Sequence, residues 1–260
     1  GVISFEPHAR MHFQPDAPPF RLMTVRQLAR TVEALGADRL SLLPFGAEMA
    51  NFSDRAFVRD VLVAGLGVAH VAVGFDVTFG KGRTGDPDSL RRYGEELGFS
   101  VSVAPARRAG GVKISSSAVR EALREGRPRD AAALLGRPFA ITGVVQKGRH
   151  LGRKLGFPTA NVPLGEYVAP RFGAYAVRAR LADGRELAGV ANVGVNPTTG
   201  EVAPRLEAWL FDFDQDIYGE TLETDLVAFL RPEEKFPSME AMVAEVRRDE
   251  ARARAELGVG

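Results

Sequence analysis

The first half of the chain alternates short apolar runs with stretches in which apolar residues recur at helical spacing. The apolar runs, which predict β-strands, cover residues 2–5, 38–45, 69–75 and 99–105. The helical stretches cover residues 25–35, 53–66, 88–98 and 117–125. Strand–helix alternation requires crossover connections, which join parallel strands and place helices over a sheet. The pattern therefore predicts an α/β domain with a mostly parallel sheet.

The pattern changes near Gly136, where we place a boundary between domains at residues 1–136 and 137–260. Beyond it, strand-like runs follow one another and no helical stretch separates them. The clearest signal is the segment 173–194, in which Asp183-Gly184 forms a turn between two such runs. A charged helix over residues 238–257 closes the chain. This half is predicted to be a small antiparallel β-barrel or sandwich with a C-terminal helix.

Composition narrows the class of protein without fixing its chemistry. Of the 260 residues 45% are hydrophobic and 26% are charged, and the net charge of +1 disfavours a polyanion binder. The chain has no cysteine, which excludes disulfides, cysteine-ligated zinc and thiol catalysis. No apolar run is long enough to cross a membrane. These features favour a cytoplasmic protein that binds neither membranes nor nucleic acid.

A loop rich in glycine and cations lies at residues 147–161, KGRHLGRKLGFPTAN. Gly148, Gly152 and Gly156 recur every four residues, although the spacing is not that of a P-loop. Glycine lets the backbone approach a ligand closely, and the flanking cations, among them Arg153, would add positive charge. The loop therefore predicts an anion site. The alternative is a surface turn that leads into a strand.

Two oxygen-bearing side chains follow directly after this loop. Pro158 keeps the preceding residue out of helical geometry, so the chain leaves the loop in an extended conformation. Thr159 and Asn161 are two residues apart and therefore face the same side of an extended segment. A hydroxyl and an amide oxygen beside bound phosphate suit Mg²⁺, which takes few protein ligands and completes its shell with phosphate and water.

One glutamate lies on the aromatic face of a predicted strand. In residues 206–213, Glu207 alternates onto the face that carries Trp209, Phe211 and Phe213. Partial burial there would raise the pKa of the carboxylate and make it a base for a hydroxyl nucleophile. The alternative is a glutamate on an edge strand that faces water.

Two segments of the first half contain candidate ligand-binding residues. Residues 73–86 follow an apolar strand, and loops at the carboxyl ends of parallel strands are where such folds bind ligands. The candidate residues in this loop are Gly74, Asp76, Phe79 and Gly80. Further along, Ser115 and Ser116 stand at a predicted helix N-terminus with Arg120 one turn in, an arrangement that favours anions. The alternative for the serines is ordinary helix capping.

Four segments of the second half are distinctive in sequence: GRKLGFPTANV, GVANVGVNPT, EAWLFDFDQDIYG and FLRPEEKFPSMEAM. In this order they resemble the riboflavin kinase domain. The resemblance implies a small antiparallel barrel that uses Mg²⁺ and transfers the γ-phosphate of ATP to riboflavin, forming FMN. It implies that Gly148–Gly156 cover the nucleotide, that Thr159 and Asn161 bind Mg²⁺ and ATP phosphates, and that Glu207 is the catalytic base. The C-terminal helix would help to cover the flavin.

Four segments of the first half are FEPHAR, VGFDVTFGKGRTGD, ISSSAVREAL and ALLGRPFAITG. In order and spacing they resemble the FMN adenylyltransferase part of bacterial bifunctional riboflavin kinase/FMN adenylyltransferases, the FAD synthetases. The resemblance implies a Rossmann-like nucleotidylyltransferase domain that makes FAD from FMN and ATP. It also implies that Ser115, Ser116 and Arg120 hold ATP phosphates and that the loop from Gly74 to Asp86 lines the flavin side.

The catalytic His-x-Gly-His motif of that superfamily is absent from the sequence. Its histidines are His8, His12, His70 and His150. The chain also opens without Met on Val2–Phe5, which has the pattern of a buried strand. We therefore expect the motif to lie in a segment upstream of Gly1. On this expectation the chain phosphorylates riboflavin, and adenylylation of FMN needs a longer protein.

Two other classes of function stay open on the sequence alone. A non-catalytic module would bind flavin without turnover, although the combination of Glu207, Thr159 and Asn161 favours catalysis. A nucleic-acid-binding barrel needs a basic face with interleaved aromatic residues, and the acidic run FDFDQD disfavours it. The sequence leaves the oligomeric state open.

Overall fold

The computed structural model describes residues 1–148, 155–195 and 203–260. Contacts between residues divide the chain into two compact units. The first contains Gly1–Ala17 and Ala29–Arg108, and the second contains Pro18–Leu28 and Ala109–Gly260. This division differs from the predicted boundary after Gly136, which stays a prediction.

Strands in the first hundred residues pair in parallel, as predicted. In chain order the elements up to Ala104 are β1 (Val2–Phe5), α1 (Ala9–Phe13), α2 (Val25–Ala34), β2 (Leu40–Leu43), α3 (Ala47–Asn51), α4 (Asp54–Ala56), β3 (His70–Gly74), α5 (Pro87–Leu97) and β4 (Ser100–Ala104). β1 pairs with β2 and β3 pairs with β4, each in parallel register. The predicted parallel sheet is thus present as two-stranded pairs.

Local sequence explains two features of the helices in this region. Ser53 caps α4 by accepting a hydrogen bond from the Ala56 N–H at 3.1 Å, and helical turns continue through Phe57–Gly65 with π geometry. Gly94 interrupts the apolar pattern of α5. A larger side chain does not fit at this position, because a Cβ would lie 2.5 Å from the Phe99 carbonyl oxygen. Gly94 therefore allows α5 to pack closely on the chain that enters β4.

The second half of the chain folds as an antiparallel barrel, as predicted. Its elements are β5 (Arg108–Ala109), β6 (Val112–Lys113), α6 (Ser116–Arg124), α7 (Pro128–Leu135), β7 (Phe139–Val144), β8 (Thr159–Pro163), β9 (Gly173–Arg180), β10 (Glu186–Gly194), β11 (Arg205–Leu210), β12 (Thr221–Pro232) and α8 (Met239–Leu257). Six strands form one sheet in the order β7-β12-β9-β10-β11-β8. The sheet curls until the N–H of Gln146, just beyond β7, donates to the Asn161 carbonyl oxygen of β8 at 2.8 Å.

Apolar side chains that alternate along the strands fill the barrel. The largest of those that are almost fully buried include Phe139, Ile141, Val162, Tyr175, Val177, Leu206, Leu222 and Leu226. Burying one side chain of this kind contributes roughly 1.5–3 kcal/mol. This core holds the strands in the register that the site described below depends on.

A segment from early in the sequence packs on the barrel within the same unit. Gln27 is 4% exposed; its Nε2 donates to the Ala140 carbonyl oxygen at 3.1 Å, and its Oε1 accepts from the Tyr167 hydroxyl at 2.5 Å. Phe20 is buried as well, beneath the guanidinium of Arg120. The barrel unit therefore includes residues that precede most of the first unit in the sequence.

Candidate active site

A cavity of about 890 Å³ lies against the curled sheet. Its walls come from β8, β10 and β11, from the segments that follow Leu210 and Pro232, and from helix α8. Polar side chains on these walls include those of Thr159, Asn161, Asn192, Glu207 and Glu233. Ligand pockets are usually clefts of roughly 300–1,000 Å³, so the cavity has room for a small-molecule substrate.

Strand register brings the candidate residues of the second half together. Glu207 on β11 stands opposite Asn161 on β8 and opposite Asn192 on β10. β11 is therefore an interior strand of the sheet, and the Glu207 side chain lines the cavity. The alternative of an edge-strand glutamate that faces water is wrong.

The surroundings of Glu207 make its carboxylate more basic than a free one. Burial raises the pKa of Glu207 above its ordinary value, the positive charge of Arg205 opposes this rise, and the negative charge of Glu233 adds to it. A raised pKa strengthens the ionised carboxylate as a proton acceptor. The direction of the shift is the one expected from the sequence.

The predicted aromatic face beyond Glu207 is present. Trp209 and Phe213 line the cavity with Glu207. Phe211 packs edge to face on Trp209, with ring centroids 5.3 Å apart, in an apolar cluster that includes Ala253 and Leu257 of helix α8. The strand ends at Leu210, and the chain turns at Asp212, which has a φ of +54°.

Thr159 and Asn161 lie together at the wall formed by β8. Asn161 is 7% exposed, and its Nδ2 donates to the Thr159 carbonyl oxygen at 3.3 Å. Because the amide nitrogen is used in this bond, Oδ1 is the atom of Asn161 that suits a cation. With the Thr159 hydroxyl it supplies two neutral oxygen donors of the kind that Mg²⁺ accepts.

The glycine loop approaches this pair closely at its start. A Cβ added at Gly148 would lie 2.6 Å from Nδ2 of Asn161, so only glycine fits there without movement of the asparagine. Gly156, at the other end of the loop, has a φ of +85°. Gly152 and Arg153, also expected to bind phosphate, lie outside the described residues.

The cavity also includes charged groups that the sequence reasoning missed. The Glu233 carboxylate packs against Gly194 so closely that a Cβ there would require the Glu233 side chain to move. Arg231 binds Asp249 of helix α8, with Nη2 2.9 Å from Oδ2 and Asp249 only 2% exposed. These residues lie in or beside the segment FLRPEEKF, which contributed to the family resemblance but was assigned no chemistry.

The candidate loop of the first half belongs to the first unit. Gly74 ends β3, and Asp76 follows it. Gly80 has a φ of +74°, and a Cβ there would lie 2.4 Å from the Asp54 nitrogen, so this position requires glycine. The Phe79 ring packs 6.0 Å from that of Phe57. The structure thus gives Phe79 and Gly80 clear packing roles.

Ser115, Ser116 and Arg120 lie at and beyond the start of α6, in the second unit. Ser115 accepts a hydrogen bond from the Ala118 N–H at 3.2 Å, as a helix-capping serine does. Ser116 is exposed in the first turn. Nε of Arg120 donates to the Phe20 carbonyl oxygen at 2.7 Å. Capping is therefore present, and the expected role in phosphate binding stays a prediction.

Comparison with protein families identifies both halves of the chain. The riboflavin kinase model matches residues 135–257, and the FAD synthetase model matches residues 1–118. Neither match tests the expectation of a catalytic segment upstream of Gly1. The folds and both models together define a flavin-modifying transferase with an α/β part and a barrel part.

Individual relatives agree with this class. A bifunctional riboflavin kinase/FMN adenylyltransferase of Escherichia coli is 40% identical over 258 residues, covering 99% of this chain and 82% of that protein. Its counterpart from Pseudomonas fluorescens is 42% identical and is covered to 81%. The chain therefore belongs to the bifunctional riboflavin kinase/FMN adenylyltransferase family.

A solved structure also covers most of the chain. A crystal structure described as a macrolide-efflux protein of Streptococcus pneumoniae is 29% identical, with a TM-score of 0.85 over 97% of this chain and 82% of that one. Within the described ranges of the present chain, no helix is both long and apolar enough to cross a membrane. The likeness supports the shared fold.

Proposed function

We propose that the cavity of the barrel transfers the γ-phosphate of ATP to the terminal ribityl hydroxyl of riboflavin, with Glu207 as general base. The observation that carries the proposal is the juxtaposition of Glu207 and Asn161 in direct register at the wall of a substrate-sized cavity. Family membership supports the reaction, and the geometry supports the roles of the residues.

In this reaction the Glu207 carboxylate accepts the proton of the ribityl hydroxyl. The hydroxyl oxygen forms a bond to the γ-phosphorus, the bond to the bridging oxygen of ATP breaks, and ADP leaves with that oxygen. Phosphoryl transfer depends mainly on positioning and charge stabilisation, so a base held opposite the phosphate-side residues is a suitable arrangement.

Thr159 and Asn161 are the residues that we propose for Mg²⁺. They offer neutral oxygens, and the described part of the chain contains no cluster of three or more acidic, histidine or cysteine side chains that would hold a metal by itself. A site of this kind fits Mg²⁺ that arrives with nucleotide phosphates. When bound, the ion would neutralise charge on those phosphates. Gly148, Gly152, Arg153 and Gly156 would complete the phosphate side.

Formation of FMN from riboflavin, ATP and Mg²⁺ tests the proposal. The Glu207→Gln variant should lower kcat by about 10²- to 10⁴-fold, the usual contribution of a general base. Its melting temperature and riboflavin affinity should stay close to those of the wild type. Undiminished turnover in this variant would refute the role of Glu207. Tight riboflavin binding without any FMN in the wild type would instead indicate a non-catalytic flavin module.

For the first half we propose that Ser115, Ser116 and Arg120 bind ATP phosphates and that Gly74, Asp76, Phe79 and Gly80 line the flavin side of FMN adenylylation. The match of residues 1–118 to the FAD synthetase family supports this assignment. We also propose that the functional domains are residues 1–136 and 137–260. The absence of cysteine and the net charge of +1 support a cytoplasmic enzyme that binds no nucleic acid.

A further inference from the structure

Helix α8 contacts two aromatic side chains at the wall of the cavity. The guanidinium carbon of Arg247 lies 4.6 Å from the centroid of the Phe157 ring and 5.8 Å from a ring of Trp209. The two aromatic rings meet edge to face with centroids 4.8 Å apart, and both line the cavity. Arg247 therefore completes a stack that joins the C-terminal helix to the chain entering β8.

We propose that Arg247 is a positioning residue that holds the segment from Phe157 to Thr159 in place on the phosphate side of the cavity. Phe157 stands two residues before Thr159, and it follows Gly156, whose φ of +85° marks a point where the backbone changes direction. The cation–π contact of Arg247 with the Phe157 ring restricts the movement of this segment. The inference rests on the proposed kinase function, since Thr159 is assigned to the phosphate and metal side.

The contact is suited to positioning more than to overall stability. The Arg247 side chain is 57% exposed, and its ion pair with Glu250, at 2.9 Å, is of the surface type that contributes little to folding. Phe157, by contrast, is 4% exposed and stays buried under the rings around it. Loss of the cation should therefore loosen the segment without unfolding the barrel.

Helix α8 also supplies a matched control. Arg254 stacks on Phe211 at 4.4 Å and pairs with Glu250 and Asp212, so it makes the same kind of contact two turns further along. Phe211 is not among the described residues that line the cavity. A substitution at Arg254 thus removes a comparable stack on a ring that does not line the cavity, although this ring packs edge to face on Trp209 with centroids 5.3 Å apart.

Binding and kinetics of three variants test the inference. Arg247→Met should raise both the Kd of Mg-ADP and the KM of Mg-ATP by about twofold to fivefold, the range expected for an exposed cation–π contact. Arg247→Lys keeps a cation and should recover most of the loss. Arg254→Met should leave both constants at the wild-type value, even if it lowers the melting temperature more.

Fluorescence gives a readout at the stack itself, because Trp209 is the single tryptophan of the chain. Arg247→Met should increase quenching of Trp209 by acrylamide in the ligand-free protein, and Arg247→Lys should restore quenching to near the wild-type level. Unaltered nucleotide constants in a folded Arg247→Met protein, or equal losses in Arg254→Met, would overturn the inference. Failure of the wild type to make FMN would refute the kinase function separately, since the Kd of Mg-ADP is measured without turnover.

Discussion

The two halves of the chain assemble their candidate residues in different ways. In the barrel, antiparallel register alone sets Glu207 opposite Asn161 and Asn192, on strands that the sequence pattern reveals. In the first half, the loop residues from Gly74 to Gly80 and the helix residues from Ser115 to Arg120 fall in different compact units. A site built by strand pairing can thus be foreseen from local sequence, whereas the division of the first-half residues between two units cannot.

The two halves also differ in the contacts that their candidate polar side chains make. Ser115 and Arg120 form hydrogen bonds with backbone atoms, so their observed contacts are structural. Glu207 faces the cavity, and burial together with the charges of Arg205 and Glu233 sets the direction of its pKa shift. In the barrel, the Glu207 carboxylate is therefore available to a ligand. Substitutions in the two halves should separate effects on activity from effects on stability.

Gly148→Ala should lower kinase activity while leaving stability nearly unchanged. The added Cβ would lie 2.6 Å from Asn161 Nδ2, so the asparagine or the loop must move. Displacement of a ligand-positioning group by a fraction of an ångström can cost one or two orders of magnitude in rate. We expect kcat/KM for Mg-ATP to fall about tenfold with little change in melting temperature, measured by FMN formation and thermal unfolding.

Gly46→Ala is the matched control for this substitution. A Cβ at Gly46 would meet nothing within 4 Å, and its φ of −135° is open to any residue. Kinase activity should be unchanged. Equal losses in the two variants would show that the close contact of Gly148 with Asn161 has no bearing on catalysis.

Most of the barrel site could be predicted, and the omissions have physical causes. Thr159, Asn161 and Glu207 lie on strands, where alternation fixes the face. The same alternation places Phe211 beside Trp209, on the face that carries Glu207.

The omissions depend on tertiary packing. Glu233 and the Arg231–Asp249 pair follow or contact the end of β12, and their position is set by where helix α8 docks. The buried Gln27 lies in an amphipathic helix, and its partners on the barrel are more than a hundred residues away in sequence. No local pattern could have revealed these contacts.

Substitution of Ser115 tests whether the start of α6 binds phosphate in addition to being capped by this serine. Ser115→Ala should lower the free energy of unfolding by about 1 kcal/mol through loss of the cap, with riboflavin phosphorylation unchanged. Ser115→Asp should retain the cap but repel phosphate. If the serine binds ATP, nucleotide should slow amide hydrogen exchange over Ser116–Arg124 in the wild type and not in Ser115→Asp. Equal protection in both proteins would leave capping as the role of Ser115.

Substitution of Asp225 should have the smallest effect. It tests the contrast with Glu207, because both residues are carboxylates of one sheet. Burial raises the pKa of Asp225 to about 6, from 3.8, with a further rise from Glu223 and opposition from Arg180. Asp225 is not among the described residues that line the large cavity. A raised pKa on this sheet can thus arise without a catalytic role.

The sign of the pH dependence follows from that shift. The pKa of Asp225 is higher in the folded state than in the unfolded state. The stabilisation linked to its neutral form is therefore complete below about pH 4 and is lost as the pH rises through 6. Asp225→Asn removes the charge, and solvent screening reduces the gain to roughly 1 kcal/mol. The variant should melt about 2–4 °C above the wild type at pH 8 and at the same temperature near pH 4, with FMN formation unaffected. A variant that melts lower at pH 8 would show that the attraction between the charges of Asp225 and Arg180 outweighs the cost of burial. Reduced FMN formation would remove the distinction from Glu207.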